Sequence, residues 1–114
     1  MKEEETTHEL ITVIVNSGYA DDIMAAARKA GAGGGTIIKG HGTGKPEDTS
    51  FFGITIVPEK ELLLILVEKG KSEQILQTIR NLSCLSQPGS GIAYSCGVHN
   101  FTPLGQKNDK PQQS

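Results

Sequence analysis

Two segments of this chain, 10–15 (Leu-Ile-Thr-Val-Ile-Val) and 62–67 (Leu-Leu-Leu-Ile-Leu-Val), are apolar at nearly every position. Successive side chains of a strand point to opposite faces, so an unbroken apolar run asks for burial on both faces of its sheet. A chain of 114 residues favours a single domain with one modest core. With no Trp and no spare element to form a third layer, the simplest cover for the second face is another copy of the same sheet. The two runs therefore predict a homo-oligomer.

The remaining elements follow from periodicity and punctuation. The run 10–15 ends at Asn16-Ser17-Gly18, which is turn chemistry. Asp21 and Asp22 lead into Ile23–Ala30, with bases Arg28 and Lys29 at the end and Gly31 as a stop, so a helix is expected. Thr36-Ile37-Ile38-Lys39 reads as a strand broken by the glycines from Gly40 onward. After a polar loop, 51–57 alternates loosely, Pro58-Glu59-Lys60 interrupts, and 61–67 resumes as a strand. Ser72 is placed to cap a helix whose Ile75, Ile79 and Leu82 recur at helical spacing. Pro88–Gly91 is a tight loop and 92–98 a last strand. The order is β-α-β-β-α-β, an α+β plan in which a four-stranded antiparallel sheet carries two helices on one face. Residues 1–9 and 106–114 lack a run to bury and are expected to be flexible tails around a domain at 10–105.

Composition narrows the function. Eleven Lys and Arg against 13 Asp and Glu give a net charge of −2, without the basic excess that binds a phosphate backbone, so nucleic acid is not expected as a partner. No apolar run approaches the roughly 20 residues that span a bilayer, and the acidic start is unlike a signal peptide. The reading is a cytoplasmic protein whose two cysteines, Cys84 and Cys96, are reduced and buried. No Cys-x-x-Cys or comparable histidine spacing marks a metal site, and no nucleophile or carboxylate constellation marks an enzyme.

The 14 glycines are clustered, and the clusters carry the candidate chemistry. Gly40-His41-Gly42-Thr43-Gly44-Lys45 follows a strand, where glycines let backbone N–H groups converge on an anion while Thr43 and Lys45 add a hydroxyl and a charge. It is neither a Walker A loop nor a Rossmann fingerprint, because Pro46 follows Lys45 and no helix follows the glycines. A second cluster, Gly89-Ser90-Gly91, opens the last strand. In an oligomer of this plan the two loops can come from neighbouring subunits and share a cleft. His41, between two glycines, is a candidate ligand-facing donor.

These segments also carry a resemblance. Thr36–Gly42 (TIIKGHG), Gly53–Leu62 (GITIVPEKEL) and Gly89–Tyr94 (GSGIAY) resemble, in order and spacing, three motifs of the PII signal-transduction superfamily of nitrogen-regulatory and PII-like sensors, over about 10–99. The resemblance implies a ferredoxin-like fold, a homotrimer, and adenine nucleotides (ATP, ADP, AMP or a cyclic nucleotide) bound in clefts between subunits. It implies a mobile T-loop at about 41–52 that signals to a protein target such as a membrane transporter or an enzyme. By the same analogy Gly34, Gly42, Thr43 and Ile65 fall at nucleotide-contacting positions, with Gly89, Ser90, Gly91 and Ile92 on the second loop and Gly40 and His41 beside the first. Lys45 belongs to the loop that meets the partner, and Phe51-Phe52, a small apolar anchor at the return of that loop, reads either as core or as a partner contact presented when the loop moves.

The chain departs from that pattern where charge matters. Ile92 stands where the family has a phosphate-binding Lys after its Gly-Asp-Gly, and no Arg pair follows Val98. Each lost charge-assisted contact is worth about 1.5–3 kcal/mol, which favours a monophosphate, a diphosphate, a cyclic nucleotide or no nucleotide over a triphosphate; Lys39, Lys45 and Lys60 compensate only in part. Glu59, at the position of the oxoglutarate-associated Lys, would repel a dicarboxylate. The alternative is a trimeric metal-binding protein of the divalent-cation-tolerance type, with His41, His99 or the cysteines as ligands.

Overall fold

The computed structural model describes residues 6–43, 50–51, 54–55, 59–86 and 90–105. Strand β1 (His8–Asn16) and helix α1 (Ala20–Lys29) are followed by β2 (Thr36–His41), the short strands β3 (Ser50–Phe51) and β4 (Ile54–Thr55), β5 (Glu59–Glu68), α2 (Ser72–Arg80) and β6 (Gly91–Val98). The main sheet has the order β2-β5-β1-β6 and is antiparallel throughout. Among the described residues β3 pairs with β4, as a separate two-stranded sheet. Both helices lie on one face, α1 against β5 and α2 against β1, which is the expected ferredoxin-like arrangement.

The register divides the sheet into a covered and an uncovered face. Ile11, Val13 and Val15 of β1, with Leu63, Ile65 and Val67 of β5, pack beneath Ile23, Met24, Ala27, Ile75 and Ile79 of the helices. The alternate residues face away: Leu10 and Ile14 on β1, Leu62, Leu64 and Leu66 on β5, Ile38 on β2, and Ile92 and Tyr94 on β6. Leu66, Ile38, Tyr94 and Ile92 are between 39% and 61% exposed. An apolar sheet face is thus left open, as the two runs required.

The halves of the chain repeat one another. Residues 9–29 (ELITVIVNSGYADDIMAAARK) and 61–81 (ELLLILVEKGKSEQILQTIRN) superpose at one constant separation, which pairs Glu9 with Glu61, Gly18 with Gly70, Ile23 with Ile75 and Arg28 with Arg80. The antiparallel β1–β5 pairing makes this an internal two-fold about Thr12 and Leu64. Gly18 and Gly70 both have positive φ, +105° and +94°, and each turns its strand into its helix. Neither helix is capped by its own first residue, Tyr19 or Lys71. Each is met by a carboxylate from the neighbouring strand. Glu61 accepts the N–H groups of Gly18 (3.1 Å) and Ala20 (3.0 Å), and Glu9 accepts that of Gly70 (3.3 Å).

Several boundaries differ from expectation. β1 begins at His8, inside the tail expected over 1–9, because the His8 ring lies against Phe101 (centroids 4.0 Å apart) and the Lys69 N–H reaches the Thr7 carbonyl. β2 does not stop at Lys39 but runs through Gly40 and His41, which face Lys60 and Glu59 on β5. Those two charged residues open β5 instead of interrupting it. The loosely alternating 51–57 resolves into β3 and β4, with 52–53 and 56–58 outside the described residues. Ser72 is the first helical residue rather than the cap, and is buried. Cys84 and Cys96 are exposed thiols, not buried ones: Cys84 sits in the 3-10 turn 83–85 and Cys96 on the exposed edge strand β6.

Candidate glycine-loop site at one end of the sheet

The end of β2, the start of β5, the end of β1 and the start of β6 meet at one end of the sheet. Gly40 lies opposite Lys60, Lys60 opposite Asn16, and Gly91 opposite Val15. Gly40, His41, Gly42 and Thr43 are therefore at the same end as Ser90, Gly91 and Ile92. They are not together: β2 and β6 are the two edges, three strand spacings or about 14 Å apart. Among the described residues, a single chain closes no cleft between its two glycine segments. Gly34 lies before β2, in a shallow hollow of about 390 Å³ lined by Leu10, Gly34, Gly35, Thr36, Leu64 and Leu66. Gly44, Lys45, Phe52 and Gly89 lie outside the described residues, and Phe51 falls in β3.

The glycines of the site are not equivalent. A Cβ on Gly34 or Gly40 would meet nothing within 4 Å, so packing within the chain does not demand glycine there. On Gly42 it would come 3.1 Å from the Lys60 stem. On Gly91 it would collide with the Ile14 carbonyl oxygen and sit 2.8 Å from Val15 Cγ1. Gly91 is thus required by β1 whatever it does for a ligand. Ile65 is fully buried between the sheet and the helices, so its side chain supports the core and is not available to a ligand.

The cations at the β2 edge are engaged. Lys60 Nζ donates to Asn16 Oδ1 at 2.7 Å, and Lys39 Nζ lies 3.3 Å from Glu61 Oε2. The N–H groups of Ala20 and Gly18, followed by Lys39, hold the Glu61 carboxyl below the usual carboxylate range. Glu61 thereby ties the strand entering the glycine segment to the start of α1. At the other edge a cavity of about 250 Å³ opens between α2 and β6, lined by Val13, Val15, Leu76, Ile79, Arg80, Leu85, Ser90, Gly91, Ile92 and Ala93. Leu85, expected with Leu76 to widen the apolar stripe of the second helix, lies instead in the 3-10 turn beyond it, and Arg80, which reaches this cavity through the packing of α2, is not marked by any motif in the sequence.

Among the described residues no group of three or more His, Cys, Asp and Glu side chains converges. His41 lies at the Glu59 end of the sheet, while His99 follows Val98, which pairs with His8 at the other end.

The family model described as "Nitrogen regulatory protein P-II" matches residues 8–102. The chain belongs to the P-II family. Among solved structures it resembles a PII-like signalling protein from Thermus thermophilus, at 20% identity with a TM-score of 0.60, over 82% of this chain and 87% of that one. It also resembles the PII protein of Arabidopsis thaliana bound to citrate, at 20% identity with a TM-score of 0.59, over 82% and 77%. Both likenesses concern the fold, including the βαββαβ order and the helices on one face. Among curated proteins none is similar enough in sequence to match. No helix among the described residues is long and apolar enough to cross a membrane.

Proposed function

We propose that this P-II family member is a cytoplasmic signalling protein, not an enzyme, that assembles as a homotrimer and binds an adenine nucleotide or related small anion in the clefts between subunits. Ligand binding biases the loop at about 41–52 toward one of its states, and the loop carries that state to a protein target, a membrane transporter or an enzyme. The observation that carries the reading is the placement of the glycine segments. They share one end of the sheet yet occupy opposite edges, so a cleft holding both needs two chains. The open apolar face supplies the reason for the chains to associate. Gly34 and Gly40, unconstrained by their own chain, favour close approach of a ligand or a neighbour. The citrate on the Arabidopsis relative supports small anions as a ligand class for this fold.

Titration calorimetry of the purified protein with ATP, ADP, AMP and cyclic AMP, alongside light scattering for its mass, tests the reading. Binding of ADP or AMP to a trimer is expected, with ATP bound no more tightly. A monomer contradicts it, and silence toward every nucleotide contradicts its nucleotide part.

A further inference from the structure

We infer that Arg80, in the last turn of α2, is the cation that receives the ligand's phosphate. This rests on the nucleotide reading above and names the residue that sets how many phosphates the site accepts. Ser90 and Ala93 line the same cavity as Arg80, and Val15, Leu76 and Leu85 give it apolar walls. Arg80 is exposed, open to an incoming ligand, and its guanidinium presents paired donors that match phosphate oxygens. Lys39 and Lys60 are bonded to Glu61 and Asn16. Among the described residues Arg80 makes no ion pair.

The internal repeat supplies a comparison inside the same molecule. Arg28 is the counterpart of Arg80 and, like it, places a base in the last turn of a helix, where it complements the helix dipole. After Arg28 the chain folds straight back: Gly31 and Ala32 donate to the carbonyls of Arg28 and Ala27, and Ala32 is buried against the core. After Arg80 come the 3-10 turn 83–85 and, further along, β6 from Gly91, and the cavity is lined from this stretch by Leu85 and Ser90. The dipole role is common to both arginines; the cavity beside Ser90 belongs to Arg80. Arg80 is the one cation among the described residues that line the cavity, so the preferred ligand is a nucleoside monophosphate or diphosphate rather than a triphosphate.

The test is titration of the full chain, as wild type, Arg80→Ala, Arg80→Lys and Arg28→Ala, with ADP, AMP and adenosine. Arg80→Ala is expected to weaken ADP and AMP about tenfold to a hundredfold while leaving adenosine unchanged, Arg80→Lys to restore part of the loss, and Arg28→Ala to bind as wild type. ADP affinity unchanged in Arg80→Ala, or an equal loss for ADP and adenosine, overturns the assignment while the nucleotide reading stands. A wild-type chain that binds none of the three overturns that reading and this assignment together.

Discussion

Glu61, on β5, caps helix α1 by accepting the Ala20 N–H at 3.0 Å. The helix start has no side-chain cap of its own, so its unpaired N–H groups are satisfied from a strand far away in sequence. The same carboxylate holds Lys39, one residue before the glycine segment. Glu61→Gln keeps the shape and removes the charge, which weakens the cap and frees Lys39. A melting temperature lower by several degrees is expected by circular dichroism.

Acid should destabilise the fold through both strand carboxylates. The Ser72 hydroxyl, then the Gly70 and Ser72 N–H groups, lower the Glu9 carboxyl as the α1 start lowers that of Glu61. A carboxyl depressed in the folded state contributes stability above the unfolded value, near 4.5, and loses it as pH falls through the folded value. Urea midpoints should be flat above that point and drop below it. The drop should be smaller in Glu9→Gln/Glu61→Gln, and an equal drop in the double variant contradicts this assignment.

Two glycines of the site should respond in opposite ways to alanine. Gly91→Ala forces a methyl against the β1 backbone and should cost about 1–3 kcal/mol of stability. Gly40→Ala meets open space within the chain and should leave the urea midpoint of the dissociated chain unchanged. Any loss of nucleotide binding in Gly40→Ala then reports on the cleft, whereas a loss in Gly91→Ala reports on the fold as well.

Ile65 separates core from site. Its side chain is fully buried, so Ile65→Ala should cost about 2–5 kcal/mol by chemical denaturation. Ile65→Val, a milder change, should keep nucleotide affinity.

Much of this fold is legible in the residues. The helical spacing of Ile75 and Ile79 and the acid-to-base polarity of 20–29 place both helices, and the doubly apolar runs 10–15 and 62–67 place the central strands and the open face. Boundaries were less legible where a residue type misleads. Gly40 reads as a breaker, yet a glycine opposite Lys60 still donates and accepts in the ladder; Glu59 and Lys60 read as a turn, yet charged side chains suit an exposed strand end. The cap by Glu61 could not be read locally, because its partner lies 41 residues away. The signal that was present is the match of 9–29 to 61–81, which pairs Glu9 with Glu61 and draws attention to Arg80 through Arg28. The glycine segments were found as motifs, but their separation on opposite edges depends on strand order, which spacing alone does not determine.

The most direct test of the shared cleft is ADP titration of the wild type against a folded variant that cannot assemble, Leu66→Asp/Tyr94→Asp, which places two charges on the open face and none on the glycine segments. The account predicts that the wild type binds one ADP per chain and that the variant, monomeric by light scattering and folded by circular dichroism, does not bind. A monomer that binds ADP as tightly as the wild type would contradict it.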